Sequence, residues 1–534
     1  MKFSTNLSSQ RILNWIFWIL LIASLLPLWV NPYFLTGDGP CHLYNAKVWW
    51  DIIHRHEYNF FNHYLYLNPN LEPNYSTHFF MGLLMQIMPA VFAEKILLTI
   101  YIILFAVGLR FAIRQIEPKS EWVAILGFPM IYHHVFQMGF YNFSLSLALA
   151  FWIIGAWLKW QNTWTDAQKL WFALLNLLCF FTHPVGLLIG ISSVGLLFLT
   201  ENTGLLLSDF KKFIRKAGTL ILSLLPTLIL IVAYLYRKPG ATIEGKEPFA
   251  QLIKEFSGFT SLIALSSKEV ALAQGMAILL GILFLASLVL RLQNLLLRKS
   301  DIFFLIFLFW VLFYFFAPAG FAGAGVLAIR LQIIPFLMLL LWLGSIEWNN
   351  ILKWGGIGIG AFIALALLTI RMPIYNKLSN AIEDMMSLEP YLEDKKTVLN
   401  LTYSLNGKTP EGEWIADRIW LFLHAADYIA TKKAVVMLPN YEACTYNFPL
   451  IWRWDREPFS QIGNLEAIPP KANFLDYPQR TNGQVDYVLV WFLDSEWQDH
   501  PDTQNITNQL SQGYELVKTS PKGLAKLYRR KAGI

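Results

Sequence analysis

Charge is scarce in this sequence. Only 15% of its 534 residues are Asp, Glu, Lys or Arg, against about 25% in soluble globular chains. So small a share cannot cover a water-exposed surface, and the shortage falls mostly in the first 370 residues. That excludes a soluble globular domain for most of the chain. Cysteine is scarcer still. Cys41, Cys179 and Cys444 are the three in the chain, too few for a disulfide framework and without metal-ligand spacing. The C-terminal third has no glycine fingerprint for a phosphate and no Gly-x-Ser-x-Gly nucleophile motif. The net charge of +6 is modest and sits in short segments beside apolar runs. Such a distribution is a topology signal and excludes nucleic acid as the expected partner.

What the chain has instead is apolar length. Hydrophobic residues make up 55% and aromatic residues 16%, with 21 Trp, a composition suited to interfacial belts of a bilayer. A spanning helix needs about 20 mostly apolar residues. Segments 12–30, 95–115, 121–138, 143–158, 169–183, 185–200, 218–236, 271–291, 302–317, 327–346 and 354–371 qualify as expected spans. The first is too long for a signal-peptide core and no small-residue cleavage site follows it, so it is expected to be retained. With the N-terminus cytoplasmic, the inner loops carry Lys2 and Arg11; Arg110, Arg114 and Lys119; Lys159 and Lys169; Lys211, Lys212, Arg215 and Lys216; Arg291, Arg298 and Lys299; and Lys353. The short outer turns 139–142, 183–184 and 318–325 carry no Lys or Arg. This is the positive-inside pattern. It requires that the apolar stretch 79–92 not cross, and an interfacial or re-entrant helix is expected there. The expected organisation is a transmembrane domain over 1–371 and a soluble extracytoplasmic domain over 372–534, with outer loops 31–94 and 237–270 on the same side.

The polar residues of that outer side are the candidates for chemistry. Asp38 stands between Gly37 and Gly39 and ahead of Pro40, a segment that turns easily and brings a carboxylate close to backbone. Proline suits a first helical turn, so a helix is expected from about Pro40 toward His56, amphipathic and carrying Trp49 and Trp50 along the membrane surface. Asp38 reads either as the N-cap of that helix or as a functional acid at the membrane edge. His42, His54 and His56 follow, although a His-x-His spacing does not share a helical face. Further along, His133, His134, Asn142 and His183 fall at outer helix ends, where hydrogen-bonded turn roles and cavity-lining roles are both open. Arg330 lies near the start of a span, where an arginine either snorkels or finds an anion. Arg237 and Lys238 close another span.

An N-terminal helix, an outer loop opening on an acid, two surface helices and a multi-helix bundle together resemble the GT-C class of membrane glycosyltransferases. Asp38 in Gly-Asp-Gly-Pro matches the position of the catalytic acid in that class. The segment Glu72-Pro73-Asn74-Tyr75, the apolar stretch after it and Ala93-Glu94-Lys95-Ile96 resemble the second surface helix and the start of the next span. Arg330 to Pro335 resembles a late-helix Arg-x-x-x-Pro pattern. The sequence departs from the class in having Gly39 rather than a second acid after Asp38, and Glu72-Pro73-Asn74 in place of a Pro-Pro-Leu motif. The resemblance implies an α-helical polytopic bundle and transfer of a hexose or pentose from a polyprenyl-phosphate donor to an acceptor hydroxyl of a glycan, lipid or protein. It implies Asp38 as general base, or as ligand of a divalent cation such as Mg or Mn. Glu72 is then a second candidate carboxylate, and Arg330, with Arg237 or Lys238, is the candidate for binding the donor phosphate.

The C-terminal segment reads as a small α/β domain. Segments 398–403, 434–438 and 487–492 are expected strands, 413–431 an expected helix, and 514–518 with 524–529 an expected hairpin. An accessory or acceptor-binding role suits it. His424, Asp427, Glu442, Cys444 and Arg453 are its polar residues of interest, and structure is the expected role of each. Cys41 and Cys444 both fall outside, where a disulfide can form. A polysaccharide polymerase, ligase or flippase-like protein, or a non-catalytic assembly protein of envelope glycan synthesis, would share the outer-facing polar residues. A transporter fits less well, because no paired broken helices or inverted repeats are visible.

Overall fold

The computed structural model describes residues 2–55, 57–238, 245–293, 298–320 and 325–532. His56, residues 239–244 of the expected outer loop 237–270 and residues 321–324 of the expected 318–325 turn lie outside the described residues. The chain forms two compact units. One comprises Met1–Leu26, Thr99–Phe136 and Asn142–Ile370, the other Pro27–Leu98, Gln137–Tyr141 and Arg371–Ile534.

The first unit is helical. Among the described residues eight helices are long and apolar enough to cross a membrane: Ser9–Val30, Ala90–Ile116, Tyr141–Trp160, Pro184–Ser208, Phe210–Tyr236, Ser267–Leu292, Lys299–Phe316 and Asn350–Tyr391. The other expected spans are shorter or broken. Segment 121–138 winds as a 3₁₀ helix over Pro118–Met130, followed by the short helix His134–Gln137. Segment 169–183 is the helix Asp166–Thr182 of 17 residues, begun by a capping box at Thr165 and ended where His183 turns extended ahead of Pro184. Segment 327–346 divides at Gln332 into Leu327–Leu331 and Ile333–Leu343. Asp209 accepts from the Lys212 amide at 2.9 Å and so starts Phe210–Tyr236. Arg291, at the end of Ser267–Leu292, pairs with Asp301 at the start of Lys299–Phe316. Ile221, Leu222, Ile229, Val232 and Leu235 are all exposed on one helix, an apolar surface that water would not tolerate and hydrocarbon would.

In the second unit the first loop and the C-terminal segment fold as one body. Helix α1 (Gly39–Ile53) and helix α2 (Ser76–Leu84) belong to the loop. With nine residues, α2 is too short to span a bilayer. Strand β1 (Leu65–Leu67) lies between them and pairs antiparallel with β4 (Leu450–Trp452). A five-stranded mixed sheet carries β2 (Lys396–Thr402), β3 (Val435–Met437), β5 (Tyr487–Trp491), β6 (Tyr514–Thr519) and β7 (Ala525–Arg530) in the order β3-β2-β5-β7-β6. β2 runs parallel to β3 and β5, and both β2 and β5 are buried along almost their whole length, as central parallel strands require. β6 and β7 form the expected hairpin.

The expected helix over 413–431 is a correction. Only Asp427–Ala430 is helical. The Ile415 and Ala416 amides instead bond the carbonyls of Gly407 and Asn406 at 3.0 and 3.2 Å, and Gly412 sits at φ +87°. Bonds back to the 405–407 segment replace the i to i−4 ladder. Strands β1 and β4 and the helix Pro501–Gly513 have no counterpart in the expectations.

Candidate active site

Asp38 precedes α1 and holds the N-cap position, with Pro40 in the first turn, yet its side chain makes no capping hydrogen bond. Its Oδ2 accepts instead from the Tyr441 hydroxyl at 2.7 Å. His424 Nε2 lies 4.0 Å from Oδ1, and the His424 ring lies against the Tyr441 ring with centroids 4.7 Å apart. The carboxylate is therefore committed to a site and not to its helix. Burial, and then the negative charge of Asp38, push the Tyr441 phenol well above its ordinary pKa. It donates as a neutral hydroxyl.

Tight backbone packing fixes the position of Asp38. The Gly37 and Asp38 amides bond the carbonyls of Gln137 and Met138 at 3.0 and 2.8 Å. Gly139 stands at φ +90°, and a Cβ there would come within 2.4 Å of the Asp38 nitrogen. A Cβ at Gly39 would meet the Tyr141 hydroxyl at 2.1 Å. Only glycine satisfies both positions. The Tyr141 hydroxyl donates to Glu94 Oε1 at 2.7 Å and the Tyr428 hydroxyl to Oε2 at 2.8 Å. That buried carboxylate ties the 137–141 turn, the start of the Ala90–Ile116 helix and the C-terminal domain together.

The C-terminal domain supplies its groups from loops beyond the carboxyl ends of parallel strands, where open α/β sheets present ligands and catalytic groups. His424 follows β2 and Tyr441 follows β3. Asn440 anchors the second loop. It exchanges amide hydrogen bonds with Asn45 of α1 at 2.7 and 3.0 Å, and its carbonyl accepts from Trp452 Nε1 at 2.9 Å. Tyr44 of α1 bonds the Val435 carbonyl at 3.3 Å and the Met437 amide at 3.1 Å. Beside these, the Glu442 carboxylate lies between His42 Nδ1 and His78 Nε2, the latter at 2.9 Å. All three side chains are buried. Burial opposes the charged imidazole of His42, but the charge and hydrogen bond of Glu442 outweigh it and raise its pKa. The two imidazoles likewise outweigh burial at Glu442 and hold it below the usual carboxylate range.

The remaining candidates divide between the units. Glu72 is buried in the loop ahead of α2. His54 is exposed at the end of α1, stacked on Trp50 and bonded to its carbonyl at 2.9 Å. The other unit holds His133, His134, Asn142, His183, Arg237, Lys238 and Arg330. There His133 Nδ1 accepts from the Phe136 amide at 3.2 Å and His134 bonds the Ile263 carbonyl at 3.0 Å. His183 caps the next helix through the Val185 amide at 3.1 Å. Arg330 is on Leu327–Leu331, and its charge acts on His183. Lys238 lies over the Tyr234 ring at 5.7 Å. Cys41 and Cys444 are free thiols, so the disulfide their shared side would allow is not formed. Cys41 lies 3.6 Å from Asn440 Oδ1, and Cys444 lies 3.3 Å from Glu457 Oε1.

No protein-family model and no curated protein matches this sequence. Among solved structures it resembles ArnT from Cupriavidus metallidurans in the apo state, with TM-score 0.54 and 10% identity over 98% of this chain and 99% of that one. ArnT is a GT-C glycosyltransferase. The chain has the GT-C fold. The fold extends through the C-terminal segment, since the match runs almost end to end. Within this fold Tyr441 and Glu442 carry no local sequence signal for a role beside Asp38. Some 400 residues separate them from it, and the pairing of β1 with β4 is what brings the two segments into one body.

Proposed function

We propose that this protein transfers a sugar from a polyprenyl-phosphate-linked donor to an acceptor hydroxyl on the extracytoplasmic face of the membrane. The observation that carries the reading is the Asp38 carboxylate, which leaves its helix uncapped and is held by Tyr441 in a chain of GT-C fold. Asp38 accepts the proton of the acceptor hydroxyl while that oxygen bonds the anomeric carbon. The bond from that carbon to the phosphate oxygen breaks, and polyprenyl phosphate leaves. Arg330, with Arg237 or Lys238, is proposed to bind the phosphate, since a guanidinium meets two phosphate oxygens at once and stabilises the charge that develops there. Glu72 is retained as a second candidate carboxylate. Support for the reading comes from the fold, from the glycine-enforced position of Asp38 and from the neutral donor beside it.

The test is transfer by the purified full-length protein in proteoliposomes, supplied with a panel of polyprenyl-phosphate hexoses and pentoses and an envelope extract as acceptor. Asp38→Asn is expected to lower transfer by about 10²–10⁴-fold, the usual contribution of a general base, with an unchanged melting temperature. A folded Asp38→Asn protein that transfers at the wild-type rate would sink the assignment. Arg330→Ala should raise the KM for donor, and an unchanged KM would remove Arg330 from phosphate binding.

A further inference from the structure

We propose that His42, His78 and Glu442 form a binding site for a divalent transition-metal ion of the zinc type. Each of the three offers one ligand atom, these atoms all lie within 4.8 Å of one another, and all three residues are buried. Among the described residues this is the one such cluster of His, Cys, Asp or Glu, and Asp38 is not a member of it. Two imidazoles and one carboxylate are a recurrent zinc set that leaves a fourth position for water or substrate. Imidazole nitrogen suits zinc and its neighbours, whereas magnesium prefers oxygen ligands throughout. The ligand chemistry therefore favours a zinc-like ion at this cluster, a site separate from the Mg or Mn that the resemblance implies at Asp38.

The His78 ring is also oriented by backbone. His78 Nδ1 lies 3.2 Å from the carbonyl oxygen of Asn74. A carbonyl only accepts, so Nδ1 carries the proton. Nε2 of the same ring faces Glu442 Oε2 at 2.9 Å, where a proton or a metal ion can stand between nitrogen and carboxylate. A metal ion binds here by displacing that proton, since imidazole ligates in its deprotonated form. Metal-bound histidines regularly donate their second ring nitrogen to a backbone carbonyl in this way. The accepting carbonyl belongs to Asn74, which stands at φ +71° just ahead of α2. His42 Nδ1 meets the other oxygen, Oε1, of the same carboxylate.

A metal here would also act on the Asp38 site. His42 follows Asp38 by four residues at the start of α1, and Glu442 follows Tyr441 directly. One ion would clamp the helix that carries the carboxylate to the loop that carries its hydroxyl donor. The binding site stands without the transferase reading, and only this consequence rests on it.

The experiment uses full-length, tag-free protein in detergent, exchanged against chelator-treated buffer and analysed by elemental mass spectrometry. Wild type should retain about one zinc per chain. Protein stripped with a chelator should bind Co(II) and show the visible absorption of a low-symmetry nitrogen–oxygen site, and zinc should restore the melting temperature that stripping lowers. His78→Ala and Glu442→Gln should each abolish the Co(II) spectrum. Wild-type protein that holds no metal as purified and shows no Co(II) spectrum after stripping overturns the site and leaves a hydrogen-bonded triad. That result is independent of transfer. Lost transfer by a metal-loaded protein would count against the transferase reading alone, and variants that fail to fold leave the wild-type cobalt measurement to decide.

Discussion

At the scale of single residues, the informative group is the Tyr441 hydroxyl. It donates to a carboxylate, and such charge-assisted bonds are worth about 1.5–3 kcal/mol. Tyr441→Phe should therefore lower kcat by roughly tenfold or more, at about 1.4 kcal/mol per decade, with little change in donor KM. Steady-state kinetics check it, and an unchanged kcat would deny the tyrosine any positioning role. Asp427 gives a prediction for stability. Burial is the main cause that raises its pKa well above the ordinary aspartate value; the Cys41 hydrogen bond opposes the rise, and the charge of Glu442 adds to it. The unfolded chain loses this proton near pH 4, while the folded protein keeps it to higher pH. The stabilising contribution is thus whole below about pH 4 and declines as pH rises toward the folded value. Asn cannot ionise, so Asp427→Asn should raise the melting temperature near neutral pH and leave it unchanged near pH 4. Melting curves across that range check the sign, since parallel curves for the two proteins would exclude the mechanism.

At the scale of elements, the site depends on turns rather than on long helices. The Gly37–Gly39 turn and the 137–141 turn interlock through backbone, and Gly139 is a position there that admits no side chain. Gly139→Ala should move Asp38 by a fraction of an ångström to an ångström, and misplacement on that scale costs about 10²-fold in rate. Gly218, in the Phe210–Tyr236 helix, has nothing within 4 Å of a built Cβ, so Gly218→Ala should keep full transfer. A Gly139→Ala protein as active as Gly218→Ala would show that the turn does not position the acid. The elements also mark where the sequence misleads. Strands β2, β3 and β5 and the β6–β7 hairpin are legible as short apolar runs between turn residues. The segment 413–431 has helical composition, but its amides find partners in the 405–407 segment, which no local pattern records.

At the scale of the whole molecule, the pairing of Asp38 with Tyr441 bears on topology. Residues 38 and 441 can touch only on the same side of the membrane, so the chain between them must cross an even number of times. Of the eight long apolar helices, seven follow Asp38, an odd number. Pro118–Met130, Asp166–Thr182 and Leu327–Leu343 bring the crossings after Asp38 to ten, which is even. The prediction is that these shorter segments cross and that the second unit faces outward. In a background with the exposed Cys444 replaced by Ser, Ser460→Cys should react with an impermeant maleimide on intact spheroplasts, and Lys212→Cys only after permeabilisation. Labelling of Ser460→Cys from the cytoplasmic side alone would invert the assigned face. Composition and periodicity determine by themselves that this chain is a helical membrane protein, where its spans fall and that Asp38 opens the first loop, because lipid allows few solutions to a long apolar run. They do not determine what faces Asp38. Tyr441, His424 and Glu442 reach the first loop through strand pairing and buried amide contacts some 400 residues removed in sequence, and only tertiary packing decides such contacts.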